Sequence, residues 1–326
     1  MRTVERCISA VLTVLVALTA MGASLLGTTR PGSAATSGLP RTGALFGAAV
    51  STRPGQDVRT GVTDLESHLG RRMDVHRLYD SWDDPQPNAL AAWDATSGRT
   101  PVLSIKAQRH NGSVVPWASI AAGREDAAIR AQANGLKRLN VPLFLALHHE
   151  PENDARNGTP ASYIGAWRHY VSVFRALHVT NVKFTWIMMA SSFGQGARKA
   201  ASYYPGDSYI DVVGGDGYNW YGTQAGKRWR SLADALAPFY AWGTAHHKPL
   251  MVAEWGTLED RAVPGRKAQW LADAAASLKR MPAIKVVCYF HAPVVYPWWV
   301  DSSPSALRAF AAMGHDPYFR TAPGSH

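Results

Sequence analysis

The chain contains very little cysteine. Of its 326 residues only Cys7 and Cys288 are cysteines, and Cys7 falls in an apolar N-terminal segment that resembles an export signal. Loss of that segment would leave one cysteine and no internal disulfide, so stability must come from a hydrophobic core. Because Cys288 continues an apolar run, we predict a small buried core residue rather than a nucleophile.

Runs of a single charge are also missing. The formal net charge is +10, but lysine and arginine are scattered and nowhere form a run of five. Nucleic-acid-binding proteins usually carry a clustered basic stripe. We therefore expect no nucleic-acid partner.

Several motifs of cofactor and nucleophile chemistry are absent. No glycine-rich phosphate turn follows the first predicted strand, and no Gly-x-Ser-x-Gly elbow occurs. The zinc motif His-Glu-x-x-His also fails after His149, since Asn153 stands where the second histidine belongs and Pro151 interrupts a helix. We expect no cofactor and no catalytic metal.

The N-terminus has the pattern of a secretory signal. Arg2 and Arg6 precede an apolar segment over residues 8–18, and small residues at 33–35 offer a cleavage site. A retained anchor helix is the alternative. We predict a signal peptide over 1–35, a linker over 36–43, a catalytic domain over 44–320 and a tail over 321–326, in a secreted monomer that does not bind membranes after cleavage.

The rest of the chain alternates short apolar runs with amphipathic segments. Predicted strands cover residues 44–50, 73–78, 101–106, 141–147, 183–188, 210–214, 249–254 and 285–290. Predicted helices cover residues 57–69, 88–94, 125–139, 160–177, 232–244, 266–279 and 304–313, with a poorly defined segment near 197–203. This alternation predicts a single α/β domain with a closed (β/α)₈ TIM barrel. An open doubly wound sheet is the alternative.

Two of the predicted strands deliver a glutamate at their carboxyl ends. Glu150 follows the fourth strand and Glu254 ends the seventh. Active sites of (β/α)₈ barrels lie at this end, and strands four and seven face one another across the mouth. Two carboxyl groups about 5–5.5 Å apart cleave glycosidic bonds with retention of configuration. The pair therefore predicts glycoside hydrolysis.

Three short motifs give this layout a family resemblance. His149-Glu150, Asp216-Gly217-Tyr218 and Ala253-Glu254-Trp255-Gly256 resemble glycoside hydrolase family 26. That family consists of retaining (β/α)₈ hydrolases, best known as endo-β-1,4-mannanases, with members that act on β-1,3-xylan or mixed-linkage β-glucan. In order and spacing the resemblance spans most of residues 41–320.

The resemblance implies a role for each matched residue. Glu150 would be the acid/base and Glu254 the nucleophile, while His149 would support the sugar at the cleavage subsite. Tyr218 would hydrogen-bond the nucleophile and keep it ionised, and Asp216 would order that corner. The segment 151–154 departs from common mannanases, so the resemblance does not determine which sugar the substrate contains.

Each role has a structural alternative. Glu150 could cap the following segment, and Glu152 could be the acid instead. His149 and Tyr218 could be structural or packing residues. Arg77, at the end of the second predicted strand, could brace the nucleophile or pair with Asp80.

Aromatic residues fit a sugar-binding cleft. The chain has 12 tryptophans, and indole planes suit the apolar faces of sugar rings. The candidates in predicted loops are Trp117, Trp220, Trp298 and Trp299. We predict a secreted, retaining, endo-acting hydrolase of a β-linked polysaccharide, with β-1,4-mannan as the expected substrate. The alternatives are an endo-β-1,3-xylanase, a β-glucanase and a catalytically silent polysaccharide-binding barrel.

Overall fold

The computed structural model describes residues 39–320. The predicted signal peptide and the C-terminal tail lie outside this range, as do residues 36–38 of the predicted linker. Within it, no helix is both long and apolar enough to cross a membrane.

The described chain forms eight parallel strands that close into a barrel in sequence order, with the first strand paired to the last. The strands are β1 Leu45–Val50, β2 Val75–Asp80, β3 Thr100–Ile105, β4 Leu143–Leu147, β5 Val182–Met189, β6 Val212–Asn219, β7 Leu250–Thr257 and β8 Ile284–His291. The predicted (β/α)₈ barrel is confirmed, and the open sheet is excluded.

Nine α-helices occur within residues 39–320. They are α1 Val58–Leu69, α2 Ala89–Thr96, α3 Trp117–Ala121, α4 Asp126–Leu139, α5 Pro160–Ala176, α6 Arg198–Tyr203, α7 Leu232–Ala245, α8 Arg266–Lys279 and α9 Pro304–His315. The short α3 was not predicted, because five residues carry too little periodicity. Helix α5 begins where the sequence indicated, with a Thr159 capping box and Pro160 in its first turn.

The core has two layers, because side chains along a strand alternate between the faces of the sheet. One layer fills the barrel interior with residues such as Leu45, Phe144 and Cys288. The other packs the outer strand faces, including Phe46, against the helices. Cys288 is fully buried and unpaired, as predicted. Burial raises the pKa of its thiol to about 12, so it stays protonated.

A β-bulge interrupts the seventh strand. Gly215 on β6 pairs with Val252, but the next residue, Asp216, pairs with Glu254. Ala253 therefore has no partner of its own. Ala253 faces the barrel interior and Trp255 the helix layer. The extra residue reverses the alternation and leaves Glu254 at the barrel mouth, as bulges near active sites do.

The strand ends were predicted less well than the strands. β7 does not end at Glu254 but continues to Thr257, and β6 extends to Asn219. The predicted strands ended at Gly214 and Glu254. Both segments are fully buried, so strand pairing continues through residues whose side chains are polar.

Helix α4 gives a test of the helix packing. A Cβ added at Gly135 would lie 1.7 Å from the backbone oxygen of Gln86. Alanine normally stabilises a helix relative to glycine, but because of this contact the substitution should destabilise the protein here. We expect Gly135→Ala to lower the free energy of unfolding by about 1–3 kcal/mol, the usual cost of overpacking. Urea unfolding followed by circular dichroism measures it.

Asn134→Ala, at an exposed position of the same helix, is the matched control and should be neutral or slightly stabilising. A Gly135→Ala protein as stable as the wild type would contradict the packing described here.

Candidate active site

Glu254 lies at the centre of the barrel mouth, held by three neighbours. The Tyr79 hydroxyl donates a hydrogen bond to its Oε1 (2.7 Å) and the Tyr218 hydroxyl one to its Oε2 (2.8 Å). The Arg77 guanidinium lies 3.7 Å from Oε1. Glu254 is 6% exposed, so its carboxyl oxygens meet two hydroxyl donors and a positive charge in a buried setting.

Glu150 reaches the same place from the end of β4. Its backbone is left-handed (φ 49°), and its N–H donates to the Ile187 carbonyl of β5 (2.9 Å). Asn153 donates a side-chain hydrogen bond to Oε2 (2.9 Å). Burial, and then the negative charge of Glu254, raise the pKa of Glu150 to about 7. Near neutral pH this residue can therefore hold or release a proton.

A third acid, Asp216, lies between the two glutamates. One carboxyl oxygen from each of Glu150, Asp216 and Glu254 falls within 4.8 Å of the others. Asp216 is 1% exposed, and burial followed by the charges of both glutamates raises its pKa well above the usual value. Both carboxyl oxygens of Asp216 are buried, and neither has a hydrogen-bond partner among residues 39–320. Burial and like-charge repulsion therefore both favour a proton on this acid. The three acids form one cluster.

Three carboxylates this close could also surround a hard cation. Here the oxygens of Glu254 already accept hydrogen bonds from two tyrosines, and Arg77 supplies a positive charge beside them. Raised pKa values at Glu150 and Asp216 mean that protons already reduce the negative charge. The hydrogen-bond donors, the positive charge and the raised pKa values together favour protonated carboxyl groups over a bound metal ion.

Arg77 lies inside the barrel beneath this cluster, where it is 1% exposed. It donates to the Ser104 hydroxyl (2.7 Å), and its guanidinium carbon lies 4.5 Å from the centre of the Tyr79 ring. Its carboxylate neighbour is Glu254. The alternative pairing with Asp80 is wrong, because Gln86 and Asn88 donate to that carboxylate instead.

The two histidines before Glu150 have different environments. His148 is buried, with Nδ1 accepting from the Ala107 N–H (3.2 Å) and Nε2 2.9 Å from Asp154, so its role is structural. His149 faces the site, with Nε2 3.9 Å from Glu254 Oε1. Burial, and then the charge of Arg77, lower the pKa of His149 well below its usual value. Its imidazole is therefore neutral.

A cavity of about 560 Å³ opens beside Glu254, on the side of β1, β2 and β8. His149, Arg77 and Tyr79 line it together with Glu254, and its outer wall is mostly apolar. That wall is formed by Val50, Val58, Leu78, Leu90, Phe290, Ala292 and Val294. An apolar cavity with a few polar groups at one end is the usual form of a small-molecule or sugar site.

Two of the four predicted tryptophans border the Glu254 corner. The Trp298 ring lies 4.8 Å and the Trp220 ring 5.1 Å from the ring of Tyr218, centre to centre. Trp298 is itself 3% exposed, so it supports Tyr218 more than it offers a free surface. Trp220 is partly exposed and keeps a ring edge available to a ligand.

The other two tryptophans do not reach the acids. Trp117 as a sugar platform is wrong: it is fully buried in α3, packed against His148 and Tyr163. Trp117 was expected in a loop, but the unpredicted helix α3 replaces that loop. Its apolar neighbours in sequence did not indicate this helix. Trp299 is partly exposed, but the Arg53 guanidinium covers its ring at 4.4 Å, and it does not line the cavity beside Glu254.

Tyr79 and Asn153 are the site residues that sequence reasoning missed. Tyr79 follows Arg77 by two positions, so the period-two rule places both on the inner face of β2. The signal was present, but the predicted strand stopped at residue 78. Asn153 carried no signal, since its contact with Glu150 depends on the turn that follows β4.

Comparison with known proteins finds relatives in sequence and in fold. The model of glycosyl hydrolase family 26 matches residues 120–240. Endoglucanase H of Acetivibrio thermocellus is 30% identical over 284 residues, which cover 82% of this chain and 30% of that protein. The chain thus spans less than a third of the length of this relative.

Solved structures show the same fold. A β-mannanase of family 26 from Bacteroides ovatus superposes with a TM-score of 0.60 at 16% identity, covering 88% of this chain and 92% of that one. The catalytic domain of an endo-β-1,4-mannanase from Bacillus sp. JAMB-750 gives 0.65 at 17% identity, covering 86% and 89%.

In sequence and in fold the chain is therefore similar to glycoside hydrolase family 26, the family that its sequence motifs resembled.

The charge coupling between the two glutamates can be measured. We expect Glu254→Gln to lower the pKa of Glu150 from about 7 toward its ordinary 4.5, because the neighbouring charge disappears while burial persists. Carbon-13 NMR titration of labelled glutamate carboxyls, assigned with Glu150→Gln, gives the value. Glu259→Gln, which removes a carboxylate bonded to Ser302 and Ser303 instead, is the control. An unchanged or higher Glu150 pKa in Glu254→Gln would contradict the coupling.

Proposed function

We propose that the chain is a retaining, endo-acting hydrolase of a β-linked polysaccharide. The observation that carries the proposal is the pair Glu150 and Glu254, with carboxyl oxygens within 4.8 Å across the barrel mouth. Retaining enzymes hold their carboxyl groups about 5–5.5 Å apart, whereas inverting enzymes leave about 6.5–9.5 Å for a water molecule. The separation here supports retention.

The protonation of the pair supports a division of roles. Protonated Glu150 donates its proton to the departing glycosidic oxygen while ionised Glu254 attacks the anomeric carbon, which forms a glycosyl-enzyme ester. Ionised Glu150 then removes a proton from water, the water oxygen bonds to the anomeric carbon, and Glu254 leaves as a carboxylate. Each turnover consumes one water and returns both residues to their starting states.

The neighbours of the pair would tune these steps. Tyr218 and Tyr79 orient the Glu254 carboxylate, and Arg77 stabilises its charge. Neutral His149 borders the cavity beside Glu254, where it would hydrogen-bond a hydroxyl of the bound sugar. Asp216 would exchange a proton with Glu150 as that residue alternates between acid and base.

The sugar is the finer part of the proposal. β-1,4-Mannan is the substrate that the motifs imply, and both superposed structures are mannanases. β-Glucan is the second candidate, because the relative with 30% identity is named an endoglucanase. Incubation with mannan, xylan, laminarin, lichenan and cellulose, followed by sizing of the products, separates these substrates.

The same panel tests the remaining alternative, a silent polysaccharide-binding barrel. Such a protein would be retarded in a gel that contains the polysaccharide but would release no reducing ends. Short oligosaccharides formed early from one polymer would establish endo-acting hydrolysis. If all five polymers kept their original size, the hydrolase proposal would be refuted.

Secretion is proposed from the sequence of residues 1–35. Expression of the full chain in a Gram-positive host should release a shorter protein into the medium. N-terminal sequencing of that protein should begin near residue 36, whereas a membrane-bound product of full length would favour the anchor.

Removal of the proposed nucleophile should abolish hydrolysis. Glu254→Ala should lower kcat on the polysaccharide by about 10⁴-fold or more, as loss of a group that acts within a catalytic unit does elsewhere. Added azide should fill the space and restore turnover, with a glycosyl azide of inverted configuration as the product, detected by NMR. Full activity of Glu254→Ala without azide would contradict the assignment.

The pH dependence should follow Glu150. Because the acid must be protonated, kcat/KM should fall as pH rises through the Glu150 pKa of about 7, by about tenfold per unit above it. Initial rates of reducing-end release between pH 5 and 9 measure this limb. Glu150→Gln should remove the limb together with most of the activity, and a rate that keeps rising up to pH 9 would contradict it.

A further inference from the structure

A buried carboxyl group that the proposed mechanism does not use lies two residues after Glu150. Glu152 is in the 3₁₀ turn Pro151–Asn153. The acids whose carboxyl oxygens lie within 4.8 Å of one another are Glu150, Asp216 and Glu254, and Glu152 is not among them. Its position therefore argues against the alternative in which Glu152 is the acid.

The contacts of Glu152 connect two segments of the barrel mouth. Its Oε1 accepts hydrogen bonds from the Met189 N–H (2.8 Å), at the end of β5, and from the Ser192 hydroxyl (2.7 Å) in the turn after it. The other oxygen, Oε2, is buried and has no hydrogen-bond partner among residues 39–320. Glu152 thus holds the turn after β4 to the end of the neighbouring strand.

That turn determines where Glu150 points. Glu150 has a left-handed backbone although it is not glycine, a conformation that is strained for a residue with a Cβ. Such backbone strain persists only when surrounding contacts enforce it. The Glu150 N–H to Ile187 bond enforces it on one side, and the Glu152 contacts to β5 lie two residues further along the chain.

We propose that Glu152 is a positioning residue. By fixing the turn 150–153 to β5, it aims Glu150 at Glu254. The inference rests on the proposed role of Glu150 as the acid. Glu152 touches neither the substrate nor the reacting atoms and acts through the backbone of 150–153.

The two hydrogen bonds from Met189 and Ser192 to Glu152 form a clamp. The chemistry of this clamp predicts which substitutions at residue 152 it tolerates. Burial raises the pKa of Glu152, and a neutral carboxyl oxygen still accepts both bonds. A glutamine of the same length offers the same acceptor. Glu152→Gln should therefore keep the geometry, whereas Glu152→Ala removes it.

Leaving-group dependence separates positioning of the acid from general stability. When a polysaccharide is cleaved, the departing sugar oxygen is a poor leaving group and needs a proton from Glu150. Dinitrophenolate leaves without a proton. The probes are the polymer selected by the substrate panel and the 2,4-dinitrophenyl β-disaccharide of the same sugar. We expect Glu152→Ala to lower kcat/KM on the polymer by about 100-fold, the usual effect of misplacing a catalytic group by about 1 Å. On the aryl glycoside the loss should be less than about fivefold, and Glu152→Gln should restore both rates.

Glu66→Ala is the matched control. Glu66 also accepts a hydrogen bond from a backbone N–H, that of Met73 (2.9 Å), but it lies at the opposite end of the barrel, before β2. Its loss should lower thermal stability and leave the ratio of the two rates unchanged. Should Glu152→Ala fail to fold, Ser192→Ala removes one donor of the clamp and should shift the ratio in the same direction by a smaller factor.

The outcomes distinguish this inference from the proposed function. Glu150→Ala should lose polymer hydrolysis and keep aryl-glycoside cleavage; if it does so while Glu152→Ala and Ser192→Ala leave the ratio at the wild-type value, the positioning role is wrong and the function stands. Equal loss on both substrates in Glu152→Ala also overturns it. A wild-type protein inactive on both substrates overturns the proposed function and this inference together.

Discussion

The site depends on one electrostatic constraint: two glutamates and an aspartate, two of them buried, bring carboxyl oxygens within 4.8 Å of one another. Buried like charges at this separation cannot all be ionised. Two tyrosine hydroxyls and Arg77 surround Glu254, whereas Glu150 has a single amide donor. The hydrogen-bond donors and the positive charge are therefore concentrated at Glu254, whereas burial and the neighbouring charges raise the pKa values of Glu150 and Asp216.

The barrel creates this constraint through two local irregularities. The bulge at Ala253 turns Glu254 into the mouth, and the left-handed backbone at residue 150 brings a carboxyl from the tip of β4 toward it. β2, by contrast, is regular, and its period-two alternation places Arg77 and Tyr79 beneath and beside Glu254. A regular scaffold supplies the charge compensation, and the irregular backbone supplies the close approach.

The sequence predicted the parts that depend on local pattern. Apolar runs located all eight strands, and glutamates near two strand ends located the site, because both follow from burial and chain order. Tyr218 came from family resemblance, and its hydrogen bond to Glu254 is present. The bulge, the α3 helix that buries Trp117 and the contact from Asn153 to Glu150 were beyond reach. Each depends on contacts between distant segments, which no short window of sequence contains.

The most direct test of the central claim is covalent trapping of the nucleophile. A 2-deoxy-2-fluoro glycoside of the preferred sugar, with a dinitrophenyl leaving group, slows breakdown of the glycosyl-enzyme more than its formation. Peptide mass spectrometry of the inactivated protein should find one fluorosugar, attached to Glu254. A label on Glu150 or Asp216, or inactivation without any covalent sugar, would contradict the assignment of charge and proton within this cluster.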